Sequence, residues 1–302
     1  MTIVVLGSIN IDLVVRTPRL PVAGETLAGH TFFTASGGKG ANQAVACARL
    51  GAPTHMVGRV GDDIFGDSLR NALKGYGVDT SDVTTSQGQP SGVAVIAVDD
   101  AAENSIIIVA GANGKVGPED IGRLDKALVN ARVLLLQLEV PVDTVIAAAQ
   151  AARRHNVTVI LDPAPAHPLP PEMYMLADII TPNETETAAL TGHIVEDEIG
   201  AAKAARILLE RGVRRAVIKM GAKGVYWADN TGGHYVPAFK VVTVDTVAAG
   251  DAFNGGLAVA LSDGRPFAEA VRWGLAAGAV SVTKSGAQPS MPDRHAVEAL
   301  LR

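Results

Sequence analysis

Helical patterns and short apolar runs alternate along most of the chain, and this alternation limits the folds that the chain can adopt. Apolar spacing predicts helices over residues 41–50, 64–74, 142–154, 200–211, 251–261, 267–283 and 294–301. Apolar runs predict strands over residues 55–57, 133–136, 157–161, 178–180, 216–219 and 239–244. Strands that alternate with helices usually pair in parallel. We therefore expect an α/β fold with a mainly parallel sheet covered by helices.

Two β-rich segments interrupt the alternation, at residues 13–34 and 92–110. The second contains the runs GVAVIAVD and NSIIIVAG, and neither segment has the spacing of a helix. The two could pair as a small separate sheet, placed as a lid over the strand ends where α/β proteins bind ligands. This predicts a main domain of residues 1–12, 35–91 and 111–302, with a β lid inserted into it.

The composition argues against several classes of protein. The 302 residues carry a net charge of −5 without a basic block, which does not suit binding to nucleic acid or an anionic membrane. Cys47 is the only cysteine, so no intrachain disulfide can form. The N-terminal run lacks the features of a signal peptide, and no uncharged apolar stretch reaches the roughly 18 residues of a membrane span. We expect a cytoplasmic protein.

The segment VDTVAAGDAFNG, residues 244–255, predicts a strand-to-helix turn with an acid beside it. Ala248, Ala249 and Gly250 leave the backbone uncovered, so an anion such as phosphate could approach the N–H groups of the helix start. Asp251 would then lie beside the phosphate and could accept a proton from a substrate hydroxyl. The alternative is that Asp251 is an ordinary N-cap.

Other polar residues follow predicted strands or precede predicted helices. The segment SGGKGANQA, residues 36–44, resembles a phosphate loop but lacks the Walker spacing, and no complete GxGxxG occurs. Asn10 and Asp12 are spaced to point to one side of a strand and could hold vicinal hydroxyls, or form an Asx turn. Glu139 ends the run VLLLQLE and could face a ligand or solvent.

Two further segments could contact a nucleotide. Asn183 and Glu186 in TPNETE are three residues apart and could either cap a helix or orient magnesium. The glycine-spaced turn MGAKGV could support a nucleotide with Lys223 near its phosphates, or could simply join two strands. The histidines have no metal-binding spacing, and no GxSxG is present.

Taken together, the motifs resemble those of the ribokinase-like (pfkB) sugar kinase family. The matching segments, in order, are GSINID, GGKGANQA, QLE, DPAPA, TPNETE, DTVAAGDAFNG and GAQPSMP, and they extend over almost the whole chain. The resemblance implies a doubly wound sheet with helices on both faces, a β lid that also forms a homodimer, and transfer of the ATP γ-phosphate to the 5-hydroxyl of D-ribose. It also implies Mg²⁺ and an activating K⁺.

The resemblance assigns roles to individual residues. Asp251 is implied as the base, with Ala248, Ala249 and Gly250 as the anion hole. The implied sugar-binding residues are Asn10, Asp12, Gly38, Lys39, Asn42, Ala94, Ile106, Glu139 and Asp251. The implied nucleotide-binding residues are Asn183, Lys219, Met220, Gly221, Ala222, Lys223, Gly224, Gly250, Asp251 and Leu275, with Glu186 acting indirectly on Mg²⁺. The implied K⁺ residues are Asp245, Val247, Ser281, Lys284, Gly286 and Ser290.

Two positions depart from the family pattern. Leu275 stands where a polar residue near adenine is common, and Asp162 stands where asparagine is common. The competing interpretations are a related kinase acting on 2-deoxyribose, fructose or a nucleoside, and a sugar-binding sensor without catalysis. A dehydrogenase is disfavoured because the dinucleotide fingerprint is missing.

Overall fold

The computed structural model describes residues 2–101 and 103–302. Within these ranges the strands are β1 Thr2–Leu6, β2 Asn10–Arg16, β3 Thr31–Gly37, β4 Thr54–Gly61, β5 Asp79–Ser86, β6 Gly92–Val98, β7 Asn104–Val109, β8 Ala131–Leu136, β9 Thr158–Leu161, β10 Ile179–Ile180, β11 Arg215–Lys219, β12 Val225–Asp229 and β13 Gly232–Val236. The helices are α1 Lys39–Arg49, α2 Gly66–Gly75, α3 Pro118–Ala127, α4 Val142–Arg154, α5 Pro171–Leu176, α6 Glu184–Thr191, α7 Glu198–Glu210, α8 Ala249–Ser262, α9 Phe267–Ser281 and α10 Arg294–Leu301.

The large sheet has the order β13-β12-β11-β10-β9-β8-β1-β4-β5. All pairs from β11 to β5 are parallel, and the β12–β13 hairpin adds an antiparallel edge. Because parallel strands end at the same edge, residues that follow β8, β9 and β11 lie close together although they are far apart in the chain. The predicted mainly parallel sheet is confirmed.

Successive residues of the central strands face opposite sides of the sheet, so the chain has two hydrophobic cores. In β8, Val133 and Leu135 belong to the core that contains side chains of α1, α2, α8, α9 and α10. Leu134 and Leu136 belong to the other core, with side chains of α3, α4, α5, α6 and α7. Helices therefore cover both faces, as the resemblance implies.

The small sheet has the order β3-β2-β6-β7 and is separate from the large one, as predicted from the two interrupting segments. Strand β2 pairs antiparallel with β3 and parallel with β6, so Asn10 lies opposite both Gly37 and Gly92. Strand β7 forms an edge and is exposed along its whole length. The proposed domain boundaries remain a prediction.

The strand predicted over residues 239–244 is wrong, because this segment joins neither sheet. Its β-branched residues are not covered: Val242 and Val244 are exposed. The backbone N–H groups of Val244 and Asp245 donate to the carbonyl of Val282 after α9. The segment is thus held by a helix end instead of by a neighbouring strand.

Other boundaries differ by a few residues. The helix predicted over residues 142–154 agrees with α4, whereas α1 begins at Lys39 and α8 at Ala249, each two residues before the predicted start. Helices α3, α5 and α6 were not predicted from the apolar spacing, although TPNETE indicated a possible helix start before α6. Across the described ranges, the helices are too short or too polar to cross a bilayer.

Candidate active site

Asp251 is buried at the start of α8. Ala248 has a left-handed conformation with φ 59°, and the helix begins at Ala249. Such a turn brings successive N–H groups together, and the first helical turn leaves N–H groups without helical partners. Asp251 is the third helical residue and is 5% exposed. Because Ala248 holds the N-cap position, the N-cap interpretation of Asp251 is wrong.

Two side-chain amides from α1 orient the Asp251 carboxylate. Asn42 Nδ2 donates to Oδ2 at 3.0 Å, and Gln43 Nε2 donates to Oδ1 at 3.0 Å. A carboxylate oxygen has two lone pairs, so each oxygen still has one free to accept a further proton. The carboxylate is therefore fixed in orientation without losing its capacity to act as a base.

Burial is the largest influence on the ionisation of Asp251. Removal from water raises the pKa, and the nearby charge of Asp162 raises it further. The charge of Lys39 and the hydrogen bonds from Asn42 and Gln43 lower it, and the resulting pKa is about 6. Since the folded state holds this proton more tightly than the unfolded chain, ionisation of Asp251 reduces stability as the pH rises from about 4 to about 6.

A buried network that the sequence analysis did not assign continues from Asp251. Gln43 Nε2 also donates to Asp162 Oδ2 at 3.0 Å, and Gln137 Nε2 donates to Gln43 Oε1 at 2.6 Å. Carboxylates can only accept, so this arrangement fixes which end of the Gln43 amide faces them. Lys219 Nζ then donates to Asp162 Oδ1 at 2.9 Å. The only sequence signal was the position of Gln43 and Asp162 inside the GGKGANQA and DPAPA motifs.

Glu139 meets the start of α1 and the first residues of the small sheet. Its Oε2 accepts from Ser8 Oγ at 2.5 Å, from the Lys39 backbone N–H at 3.1 Å and from Asn10 Nδ2 at 3.5 Å. Asn113 Nδ2 in turn donates to Asn10 Oδ1 at 2.7 Å. The structure thus brings together Asn10, Lys39 and Glu139, while Ser8 and Asn113 are partners that the sequence analysis missed.

Glycines allow this close approach of α1 to β1. Gly38 precedes α1 with φ 90°, a conformation that favours glycine. A Cβ on Gly40 would lie 2.7 Å from the backbone of Gly7 and Ser8. The predicted site residue Gly38 and its neighbour Gly40 therefore position Lys39 and Asn42 through the backbone.

Asp12 extends the acidic cluster from the small sheet. Burial is the main cause that raises the pKa of Asp12 to about 7, and the charges of Glu139 and Asp251 add to the effect. Its carboxylate lies over Gly37, where a Cβ would meet it at 2.3 Å. Asp12 therefore lies within electrostatic range of both Glu139 and Asp251.

The other two predicted sugar contacts share one face of the small sheet with Asp12. Ala94 lies directly opposite Asp12 and is buried. Ile106 pairs with Ile96, two residues further along β6, and is half exposed. Paired residues point to the same side, so all of these side chains lie on one face.

Asn183 and Glu186 form a capping box at the start of α6. Asn183 Oδ1 accepts from the Glu186 N–H at 2.8 Å, and the Glu186 carboxylate accepts from the Asn183 N–H at 2.8 Å. Glu186 is buried, and desolvation first, then the charge of Asp162, raises its pKa. Asn183 also forms an isolated parallel bridge with Lys219. The capping interpretation is confirmed, and the same acid lies within electrostatic range of the central network.

The glycine-spaced loop joins β11 to β12, as the alternative interpretation of MGAKGV predicted. Gly221, Ala222 and Lys223 form a single 3₁₀ turn after the buried Met220. Gly224 has φ 104°, and a Cβ there would meet the carbonyl of Val236 at 2.2 Å.

Lys223 in this loop and Lys219 at the end of β11 point to different partners. Lys223 Nζ donates to the carbonyl of Glu196 at 2.7 Å, on the exposed side. Lys219 lies beside Gly250 instead, at the start of α8. The predicted Leu275 is buried in α9 within the hydrophobic core.

The residues implied for K⁺ lie in the segment before α8 and in the stretch from the end of α9 to residue 290. Asp245 Oδ1 accepts from the Val247 N–H at 3.0 Å, and Oδ2 accepts from the Gly286 N–H at 2.8 Å. Lys284 N–H donates to the carbonyl of Ser281, and Ser290 Oγ donates to the carbonyl of Ala287. Carboxylate, carbonyl and hydroxyl oxygens are the donors that hard cations prefer, so this donor set fits K⁺.

Side chains that commonly bind divalent metals are not clustered in the part of the chain that the structure describes. In residues 2–101 and 103–302, His, Cys, Asp and Glu do not gather in groups of three or more that could hold a metal ion.

Comparison with known proteins gives consistent matches along the chain. Residues 1–294 match the model of the pfkB family of carbohydrate kinases. The chain is 44% identical to a ribokinase of Haemophilus influenzae, over 97% of this chain and 96% of that protein. It is 40% identical to a deoxyribokinase of Salmonella typhi, over 97% and 96%. The structure of Arabidopsis thaliana ribokinase complexed with ribose and ATP superposes with TM-score 0.92 at 38% identity, over 99% of this chain and 98% of that one.

The pKa of Asp251 can be measured directly. In protein labelled with ¹³C at aspartate carboxyl carbons, we expect the Asp251 signal to titrate near pH 6, and Asp162→Asn to lower this midpoint by removing a neighbouring negative charge. Asp229, whose pKa is lowered by hydrogen bonds from Thr231, serves as the internal control. A midpoint for Asp251 at or below 3.8 would contradict the role of burial.

Proposed function

Because the chain belongs to the pfkB family of carbohydrate kinases, we propose that it transfers the γ-phosphate of ATP to the 5-hydroxyl of D-ribose, giving D-ribose 5-phosphate and ADP. The observation that carries this proposal is the buried Asp251 carboxylate, held by two amides beside the anion-binding start of α8. The relative named ribokinase and the neighbour solved with ribose and ATP support the choice of substrates.

In the proposed reaction, Asp251 accepts the proton of the 5-hydroxyl as its oxygen attacks the γ-phosphorus. A base is most effective when its pKa lies near the working pH, and a pKa of about 6 leaves Asp251 mostly ionised at neutral pH. The N–H groups of the Ala248–Gly250 turn stabilise the negative charge of the transferring group. Fixed orientation from Asn42 and Gln43 lowers the entropic cost of reaching this geometry.

We place ribose between the small sheet and α1. Asp12, Asn10 and Glu139 supply acceptors and donors for its hydroxyls, together with Lys39 and Asn42. Each sugar hydroxyl that loses water needs such a partner, because an unpaired buried polar group is costly. Gly38 supports this contact through the backbone, and Ala94 and Ile106 supply apolar contacts from the small sheet, which acts as a lid.

We place the nucleotide along the ends of β10 and β11. The residues proposed to contact it are Asn183, which bridges to Lys219, and the segment Lys219, Met220, Gly221, Ala222, Lys223 and Gly224, which begins beside Gly250. Leu275, which is largely buried in the core, is the proposed apolar contact on the adenine side. Glu186 would act on Mg²⁺ through water, and the ion would neutralise phosphate charge.

The proposed monovalent cation is K⁺, held by oxygen atoms of Asp245, Val247, Ser281, Lys284, Gly286 and Ser290. A cation there would lie beside the turn that receives the phosphate and stabilise negative charge on it. The cytoplasm remains the proposed location, consistent with the buried, unpaired Cys47.

The substrate and cation preferences can be tested in one assay. Purified protein with MgATP is given D-ribose, 2-deoxyribose, D-fructose or a nucleoside, in potassium or in sodium buffer, and ADP release is measured. We expect the highest kcat/KM with ribose in potassium. Asp251→Asn should fold and bind ribose, while its kcat falls by about 100- to 10,000-fold because the base is lost.

Two outcomes of this assay would overturn the proposal. Ribose binding without ADP release by the wild-type protein would favour the non-catalytic sensor. Wild-type turnover in Asp251→Asn would remove the base from the mechanism.

A variant of Asp12 tests whether the protein prefers ribose to 2-deoxyribose. The test is needed because one relative is named a deoxyribokinase. If its carboxylate accepts from two vicinal hydroxyls of ribose, 2-deoxyribose loses one of these bonds. Asp12→Ala should then reduce the kcat/KM ratio of ribose to 2-deoxyribose by about tenfold or more, since a hydrogen bond to a charged group contributes about 1.5–3 kcal/mol. Asp143→Ala, an exposed acid of α4, is the matched control. An unchanged ratio would show that residues other than Asp12 discriminate between the two sugars.

The small sheet is also proposed to form a homodimer. Its face opposite Asp12 exposes Phe32, Val95 and Ile107, with Phe32 64% and Ile107 63% exposed. Contiguous exposed apolar side chains commonly mark an interface. We expect light scattering to give twice the monomer mass for the wild-type protein and the monomer mass for Ile107→Asp. Ile194→Asp, an equally exposed isoleucine outside this sheet, should remain dimeric. A monomeric wild-type protein at micromolar concentration would contradict the proposal.

A further inference from the structure

Lys219 and Asp162 form an ion pair at the carboxyl edge of the large sheet. Lys219 is the last residue of β11, and Asp162 directly follows β9. Their side chains are 13% and 2% exposed, and Nζ lies 2.9 Å from Oδ1. Asp162 also accepts from Gln43, which fixes the carboxylate from its other oxygen. The ammonium of Lys219 is therefore held in one place by a buried partner.

The Lys219 ammonium lies at the start of α8. A Cβ built on Gly250 would lie 3.2 Å from Lys219 Nζ, so the ammonium lies beside the residue that directly precedes Asp251. The N-terminus of a helix carries partial positive charge, and a second positive charge beside it is unfavourable unless an anion lies between or beside them. Asp162 supplies one such anion but occupies only one of the three N–H donors of the lysine.

We propose that Lys219 is a further catalytic residue, which binds the phosphoryl group during its transfer alongside the N–H groups of α8, and that Asp162 is its positioning residue. This inference rests on the proposed kinase function. The bond between the γ-phosphorus and the bridging oxygen of ATP breaks, the bond from the sugar oxygen to phosphorus forms, and the hydroxyl proton goes to Asp251. Lys219 keeps its proton throughout and contributes only charge and hydrogen bonds.

The neighbouring charges support a cation at this position. Lys39 is a second buried lysine near these acids. Burial lowers its pKa, but the charges of Asp251, Asp162, Glu139 and Glu186 raise it by more, so the net pKa is raised. Burial and the charge of Asp162 raise the pKa of Glu186, whereas the charge of Lys219 lowers it. A triphosphate that approaches this acidic edge needs positive charge on the nucleotide side as well, and the Lys219 ammonium lies beside Gly250 there.

The test is a comparison of Lys219 variants in the ADP-release assay. Lys219→Met should lower kcat by roughly 100-fold, as expected for loss of one transition-state donor, while the KM for ribose is unchanged. Lys219→Arg should retain more activity than Lys219→Met because it keeps the charge. Arg214→Met, which removes an exposed cation paired with Asp178 just before β11, should behave as wild type.

The outcomes separate this inference from the proposed function. An inactive wild-type protein would refute the kinase assignment itself. An active wild type with Lys219→Met at the wild-type kcat would overturn only the role of Lys219. A rise confined to the KM for ATP, with kcat unchanged, would also overturn it, because the contact would then act on nucleotide binding and not on transfer.

A double variant distinguishes catalysis from a structural ion pair. Asp162→Asn alone should lower kcat less than Lys219→Met does, since the lysine remains but is less well placed. The pair Asp162→Asn with Lys219→Gln leaves no unpaired buried charge and should fold, as measured by its thermal midpoint. We expect its kcat to stay as low as that of Lys219→Gln alone. Recovery of kcat together with stability would show that the pair serves only the fold.

Discussion

The hydrogen bonds from one amide group, that of Gln43, hold the site together. Its Nε2 donates to Asp251 and to Asp162, and its Oε1 accepts from Gln137. These partners come from α8, from the end of β9 and from the end of β8. The amide of Gln43 therefore links one helix start to two strand ends. Loss of the amide would leave Asp251 with only Asn42 and Asp162 with only Lys219 as side-chain donors, and a hydrogen bond lost at a buried charge costs more than one lost at the surface.

The concentration of carboxylates around that amide explains which ligands the site can accept. Asp12 and Asp251 have pKa values raised to about 7 and about 6, mainly by burial, and Glu186 shifts in the same direction. Carboxylates this close destabilise one another unless donors or cations compensate. Sugar hydroxyls are donors, and a nucleotide brings a divalent cation, so both proposed ligands relieve the repulsion that the free site carries.

Much of this arrangement was predictable from local patterns, and the remainder depended on distant contacts. Apolar spacing was sufficient for α4 and for the central strands, because burial of one helical face or of a whole strand leaves a clear periodicity. It failed at residues 239–244, where β-branched residues predict a strand but no neighbouring strand edge is available. Local composition cannot report whether a pairing partner exists.

In the site, too, some features were predictable from local patterns and others depended on distant contacts. Motif spacing placed Asp251 at a helix start, but the structure shows it three residues after an N-cap in a left-handed conformation, which the sequence does not encode in any recognisable residue type. Gln43 and Asp162 hydrogen-bond to each other although 119 residues separate them in the chain. Only the order of the strands in the sheet brings them together.

Asp162 and Lys219 are best understood as one unit. An aspartate at position 162 without a counter-ion would add a second anion near Asp251 and would raise the pKa of the proposed base further. A lysine at position 219 without an acid would face the positive end of α8 unpaired. Each charge is tolerable because the other is 2.9 Å away. Asp162, which stands where the family commonly has asparagine, is therefore explained by its partner Lys219, which it holds beside the start of α8.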